Sequence, residues 1–201
     1  LAAVFLAYGN TLEGPFVFDD FHSIVEKSEI HDLGNFTKPG VLFSPRGVVN
    51  ATFALNYRFG GLETWGYHLV NIVIHGLNGL LAYFFFLLLL RLAFPDASTF
   101  SGERGPGGGS LPLHRPVALV SALVFVTHPV QTQAVTYIVQ RYASMAALFY
   151  AASVFFYLKA RLLSSAAVEK NDGETGQTGE SGNRAKRGRK SRAATGSKKE
   201  A

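Results

Sequence analysis

Cysteine is absent from the 201 residues, and methionine and tryptophan occur once each. Without thiols there is no disulfide framework and no thiolate metal site, and sulfur gives no indication of redox compartment. Charge is scarce as well, at 16% of residues against 48% hydrophobic and 13% aromatic, a balance too oily for a soluble domain of this length. The scarcity is uneven. Residues 166–201 hold fourteen of the thirty-three charges, which leaves the first 165 apolar in long blocks. The sole methionine is Met145, and Leu1 already lies inside an apolar run, so the start reads as a truncated first span. A cleaved signal peptide would need a basic stretch ahead of the apolar one, and Leu1 to Tyr8 has none.

A helix needs about 20 largely apolar residues to cross the bilayer core, which makes block length the test of each run. Leu1 to Tyr8 is the end of one such block. Residues 66–92 form the second, with an uninterrupted Leu/Phe-rich core over 80–90 and no charged side chain from Tyr67 until Arg91. The third, 116–127, is short and is interrupted by His128-Pro129, because proline lacks a backbone donor and clashes with the turn before it. The fourth, 142–163, is uncharged to Leu158 and then carries Lys159 and Arg161, whose long side chains can reach the interface. The expected fold is an all-α integral membrane protein with about four transmembrane helices.

The polar segments differ in character. Residues 9–65 form a long loop with seven acids against four bases. Residues 93–115, with Pro95, Pro106 and Gly107-Gly108-Gly109, read as a linker between spans. Residues 164–201 read as a disordered basic tail, with six bases between Arg184 and Arg192. Such a juxtamembrane cluster meets anionic lipid or fixes topology, and no nucleic-acid partner is expected. Arg91, Arg115, Lys159 and Arg161 all flank span ends on one side, and basic residues there mark the cytoplasm. The loop 9–65 and the second loop 128–141 then share the extracytoplasmic face. The compartment is the plasma membrane for a bacterial chain and the endoplasmic reticulum for a eukaryotic one.

Three constellations carry candidate chemistry. Asp19-Asp20 lies between aromatics in Phe16-Val17-Phe18-Asp19-Asp20-Phe21-His22. A carboxylate at the membrane interface can accept a proton from an incoming nucleophile, and two adjacent acids, with His22 nearby, can take a divalent cation through oxygen; an ordinary solvated turn is the plain alternative. His68, Asn71, His75 and Asn78 recur at spacings of three, four and three on one helical face. In a membrane helix that face turns to protein or to a water-filled cavity, and hydrogen bonding between helices is the simpler reading for Asn71 and Asn78. In the second loop, Gln133, Tyr137, Gln140 and Arg141 suit one side of a short helix, with Arg141 either clamping a phosphate or snorkelling.

Taken in order, these stretches resemble the N-terminal part of GT-C type membrane glycosyltransferases that carry tetratricopeptide repeats, close to the protein O-mannosyltransferases. Phe16-Val17-Phe18-Asp19-Asp20, Asn50 to Tyr57 with Trp65 to Asn71 and His75 to Asn78, and His128 to Val135 carry the likeness. The resemblance implies a catalytic carboxylate at Asp19 or Asp20, a polyprenyl-phosphate sugar donor, a protein or glycan acceptor, a role for Arg141 at the lipid phosphate, and His68, His75 and His128 facing the cavity. No 34-residue periodicity is present, so the chain is expected to be a piece of a longer enzyme. A non-catalytic membrane scaffold binding partners through loop and tail is the alternative, and a transporter subunit a third reading, without visible inverted repeats.

Overall fold

The computed structural model describes residues 2–94 and 113–165. Residues 95–112 of the expected linker 93–115 and residues 166–201 of the expected tail 164–201 lie outside the described residues; of the rest, Ala93 ends a helix, His114 begins one, and 164–165 are helical. What is described is helical, without a β-strand among the described residues. Helix α1 is Ala2–Tyr8, α2 Pro39–Leu42, α3 Gly47–Gly60, α4 Thr64–Ala93, α5 His114–Thr127 and α6 Thr132–Thr136; α7 covers 141–165. Single 3-10 or π turns fill most of the gaps. The chain divides into two units, Leu1–Ser153 and Val154–Ala201. The packing below concerns the first; of the second, helical residues 154–165 are described.

Breaks fall where backbone chemistry requires them. Helix α3 stops at Gly60 because Gly61 adopts φ 57°, a left-handed value that costs glycine little, and Glu63 is extended before α4 begins. At 30 residues, α4 is about 45 Å long, ample for the bilayer core. Helix α5 ends at His128, which the following Pro129 holds extended at ψ 132°. Two helices, Thr64–Ala93 and Ile138–Ser165, are long and apolar enough to cross a membrane, and a third span is formed if His114–Thr127 and Pro129–Thr136 count together despite a 48° bend between them. Of the four expected spans, α1 contributes seven described residues. Leu77, Leu80, Phe84 and Leu89 on α4 and Leu119, Val120 and Val124 on α5 are exposed, as lipid-facing positions are.

Two cores organise the first unit. Val4, Tyr8, Ile72, Val126 and Val135 hold α1, α4, α5 and α6 together. Ile24, Ile30, Phe36, Val49, Phe53, Tyr67, Ile138 and Met145 form the other, so the loop 9–65 packs as structure against α3, α4 and the start of α7. At Gly79 α4 comes so near α5 that an added Cβ would overlap the Val126 side chain. Gly79→Leu is expected to destabilise the protein by about 1–3 kcal/mol or more through overpacking. Thermal retention of the folded protein in detergent checks this, and an unchanged midpoint would contradict the close contact.

Candidate functional site

The segment Val17 to Phe21 turns sharply, with Asp20 N donating to the Val17 carbonyl at 3.0 Å and Phe21 N to that of Phe18 at 3.2 Å. Phe18 takes φ 47°, an uncommon conformation for a bulky residue, of a kind that collects at functional sites. The turn sends two neighbouring carboxylates in different directions. Asp20 is fully buried, where its Oδ2 accepts from Val17 N at 3.1 Å and its Oδ1 from Val139 N at 2.7 Å. Asp19 is exposed. Asp20 therefore fastens the first loop to the second across 119 positions of sequence, and the exposed Asp19 carboxylate has no hydrogen-bond partner among the described residues.

That division also bears on a divalent cation. Both oxygens of Asp20 are engaged by backbone amides, and His22 lies on the surface against Glu26 at 3.3 Å. No group of three or more His, Asp or Glu placed to hold a metal occurs among the described residues. The donor set at this point reduces to Asp19, which does not fit a bound cation.

The polar stripe of α4 is spent on backbone carbonyls of other elements. His68 Nε2 donates to the Gly14 carbonyl at 3.0 Å, and His75 Nε2 to that of Val126 at 3.0 Å. Asn71 Nδ2 faces the carbonyls of Val135, Tyr137 and Ile138 at 3.4, 3.1 and 3.3 Å, and Asn78 Nδ2 donates to Ser144 O at 3.0 Å. Each of these carbonyls sits at a break or a helix end that lacks an intrahelical donor, or is shared with one, and leaving it bare away from water would be costly. His75 is buried edge-on to the Tyr8 ring at 5.4 Å. His128 is exposed and caps the turn Pro129–Gln131 by accepting from Val130 N at 3.2 Å. Among the three histidines, His68 alone borders the cavity described next.

This cavity, about 710 Å³, lies between the Gly14–Val17 stretch and the segment from Pro129 to Tyr137. Thr11, Thr132, Gln133, Thr136, Tyr137 and His68 supply its polar lining, with no Asp, Glu, Lys or Arg side chain among the residues around it. His68 Nδ1 is buried and has no hydrogen-bond partner among the described residues. Asp19 does not border the cavity, but Val17, two residues before it, does.

Arg141 is not on the side of a short helix with Gln133, Tyr137 and Gln140. Tyr137 is extended at ψ 122° between α6 and the turn Ile138–Gln140, and this break leaves Gln140 exposed while Arg141 turns inward with no exposed surface. Its Nε donates to Asn71 Oδ1 at 2.8 Å, Nη1 to Thr52 Oγ1 at 3.2 Å and Asn56 Oδ1 at 2.7 Å, and Nη2 to the Tyr67 carbonyl at 2.9 Å. The Phe53 ring lies 4.3 Å from the guanidinium carbon, a cation–π distance. Neutral acceptors thus use four of the five N–H donors of an arginine, and α3, α4 and α7 meet on one side chain. Thr52 and Asn56 lie in the Asn50 to Tyr57 stretch that carries the resemblance, where their spacing of four puts both on one face of α3.

No protein-family model and no solved structure matches the chain. Protein O-mannosyl-transferase tmtc2 of Xenopus laevis is 32% identical over 168 residues, which cover 77% of this chain and 17% of the relative. Protein O-mannosyl-transferase Tmtc3 of Drosophila melanogaster is 30% identical over 171 residues, 79% of this chain and 18% of the relative. Protein O-mannosyl-transferase TMTC4 of Homo sapiens is 31% identical over 170 residues, 77% and 22% respectively. The chain spans about a fifth of the length of the curated relatives it matches. Its apolar spanning helices make the chain a membrane protein, and its likeness over three quarters of its length to proteins named protein O-mannosyl-transferase supports a place in the O-mannosyltransferase-like family.

Proposed function

We propose that this chain is the carboxylate-bearing membrane portion of a glycosyltransferase that moves a sugar, mannose by the names of its relatives, from a polyprenyl-phosphate donor to a protein acceptor on the extracytoplasmic face. The observation that supports the reading is the division of labour at Asp19-Asp20, with one carboxylate exposed and the other locked into the fold. A general base must be both reachable and held in place. Asp19 meets the first need and Asp20, through Val17 and Val139, supplies the second.

In this reading the Asp19 carboxylate takes the proton of the acceptor hydroxyl as its oxygen attacks the anomeric carbon. The new C–O bond forms as the bond to the phosphate breaks, and the phosphate leaves with the electron pair, inverting the anomeric centre. The uncharged, hydroxyl- and amide-lined cavity beside Gly14 suits a neutral sugar or peptide. His68 helps shape it by holding Gly14 in place. His75 and His128 act on the shape of the site through α5 and the second loop. Arg141, with four donors engaged, serves as a positioning residue whose charge reaches a phosphate only at a distance.

The test is transfer itself. Membranes containing the chain, together with any flanking coding sequence, are given polyprenyl-phosphate mannose labelled in the sugar. Label is expected in protein in an acid-stable, base-labile linkage, as for a sugar on a hydroxyl side chain. Absence of transfer above control membranes, from a protein shown to be folded, would overturn the proposal and favour a scaffold.

A further inference from the structure

We propose that Asn35 is an acceptor for N-linked glycan. The chain holds two Asn-x-Ser/Thr sequences with x other than proline, Asn35-Phe36-Thr37 and Asn50-Ala51-Thr52, the pattern that N-glycosylation requires. Sequence alone treats them equally. The fold separates them.

Asn35 and Thr37 are both exposed, while Phe36 between them is buried in the loop core. This anchoring turns the two residues of the acceptor pattern outward from the 3-10 turn Leu33–Thr37, which lies outside both long spanning helices. Asn35 Nδ2 donates one N–H to the Glu29 carbonyl at 3.0 Å; a primary amide has a second. A glycan replaces that second hydrogen and leaves the first bond intact, so the folded loop accommodates the product. Asn50 offers the opposite case. It is 9% exposed on α3, its Oδ1 accepts from the Tyr142 hydroxyl, and Thr52 Oγ1 accepts from Arg141 at 3.2 Å. A glycan on Asn50 would have to displace α7.

The reaction uses a lipid-diphosphate-linked oligosaccharide and a host transferase as co-reactants. The Asn35 Nδ2–C1 bond forms as the C1–O bond to the diphosphate breaks; the diphosphate leaves with the electron pair, and the Nδ2 proton passes to a base of the host enzyme. The inference rests on the orientation within the proposed function, which puts the loop 9–65 outside the cytoplasm, and is independent of catalysis by Asp19.

The experiment is expression in cultured animal cells, with any flanking coding sequence, followed by gel mobility with and without peptide-N-glycosidase. Asn35→Gln and Thr37→Ala are each expected to remove one glycan-sized step from the glycosidase-sensitive shift, and Asn50→Gln none. A shift unaffected by Asn35→Gln, or lost instead in Asn50→Gln, would overturn the assignment. These 201 residues hold no cysteine, so the luminal label that a Glu29→Cys reporter gains over the parent protein reads the orientation of the loop and tells a wrong topology from a wrong acceptor. Mannose transfer, measured separately, tells failure of the catalytic reading from both.

Discussion

Asp19→Asn is expected to lower sugar transfer by about 10²–10⁴-fold, the usual contribution of a positioned general base, while the protein extracts and melts like the parent. The side chain is exposed and, among the described residues, makes no hydrogen bond, so its amide isostere disturbs only chemistry. Asp20→Asn should behave differently. The two Asp20 oxygens each face a backbone N–H, from Val17 and Val139, and an asparagine must turn its own NH2 toward one of them. A donor facing a donor in a buried site costs about 1–3 kcal/mol, so this variant should lose thermal stability first and activity as a consequence. Measuring both initial rate and melting midpoint for the two variants separates the roles. Unchanged transfer in Asp19→Asn would sink the base assignment, and equal stability of both would contradict the clamp.

The largest effect on folding is expected at Arg141. Arg141→Met removes four hydrogen bonds at once and leaves Asn71 Oδ1, Asn56 Oδ1, Thr52 Oγ1 and the Tyr67 carbonyl facing an apolar side chain. At about 1–3 kcal/mol for each buried group left without a partner, the sum is comparable with the 5–15 kcal/mol by which a typical protein is stable at all. The variant should fail to accumulate in folded form. Arg141→Lys keeps the charge but offers a compact ammonium in place of a planar fork; it should fold with a lowered midpoint and a reduced rate. Size-exclusion profile in detergent and donor KM provide the readout. A phosphate-clamping arginine would give the reverse pattern, with normal folding and a raised donor KM.

The polar stripe His68, Asn71, His75, Asn78 shows how far pattern alone reaches. Helical spacing places these four on one face, and membrane physics says that such a face must find partners. Every one of them does bond outside its own helix. The identity of the partners is not encoded in the spacing, because they are main-chain carbonyls. Where those lie depends on breaks at Pro129 and Tyr137 and on the approach of Gly14, some fifty to seventy positions away along the chain.

The sequence by itself determines that this is a helical membrane protein, through run lengths and the near-absence of charge between Thr64 and Leu90, and that the third apolar run is interrupted at His128-Pro129. It also brings forward Asp19-Asp20 and Arg141 as residues out of place in so apolar a chain. Only the tertiary structure decides what each does. Two adjacent aspartates are chemically identical until the turn at Phe18 buries one against backbone amides contributed by residues 17 and 139 and leaves the other in solvent. Arg141 looks like a span-end arginine until the extended residue at Tyr137 turns it into a cradle built by α3 and α4. Both outcomes depend on donors and acceptors more than a hundred or about seventy to ninety positions distant, and such long-range pairings leave no local mark in a sequence.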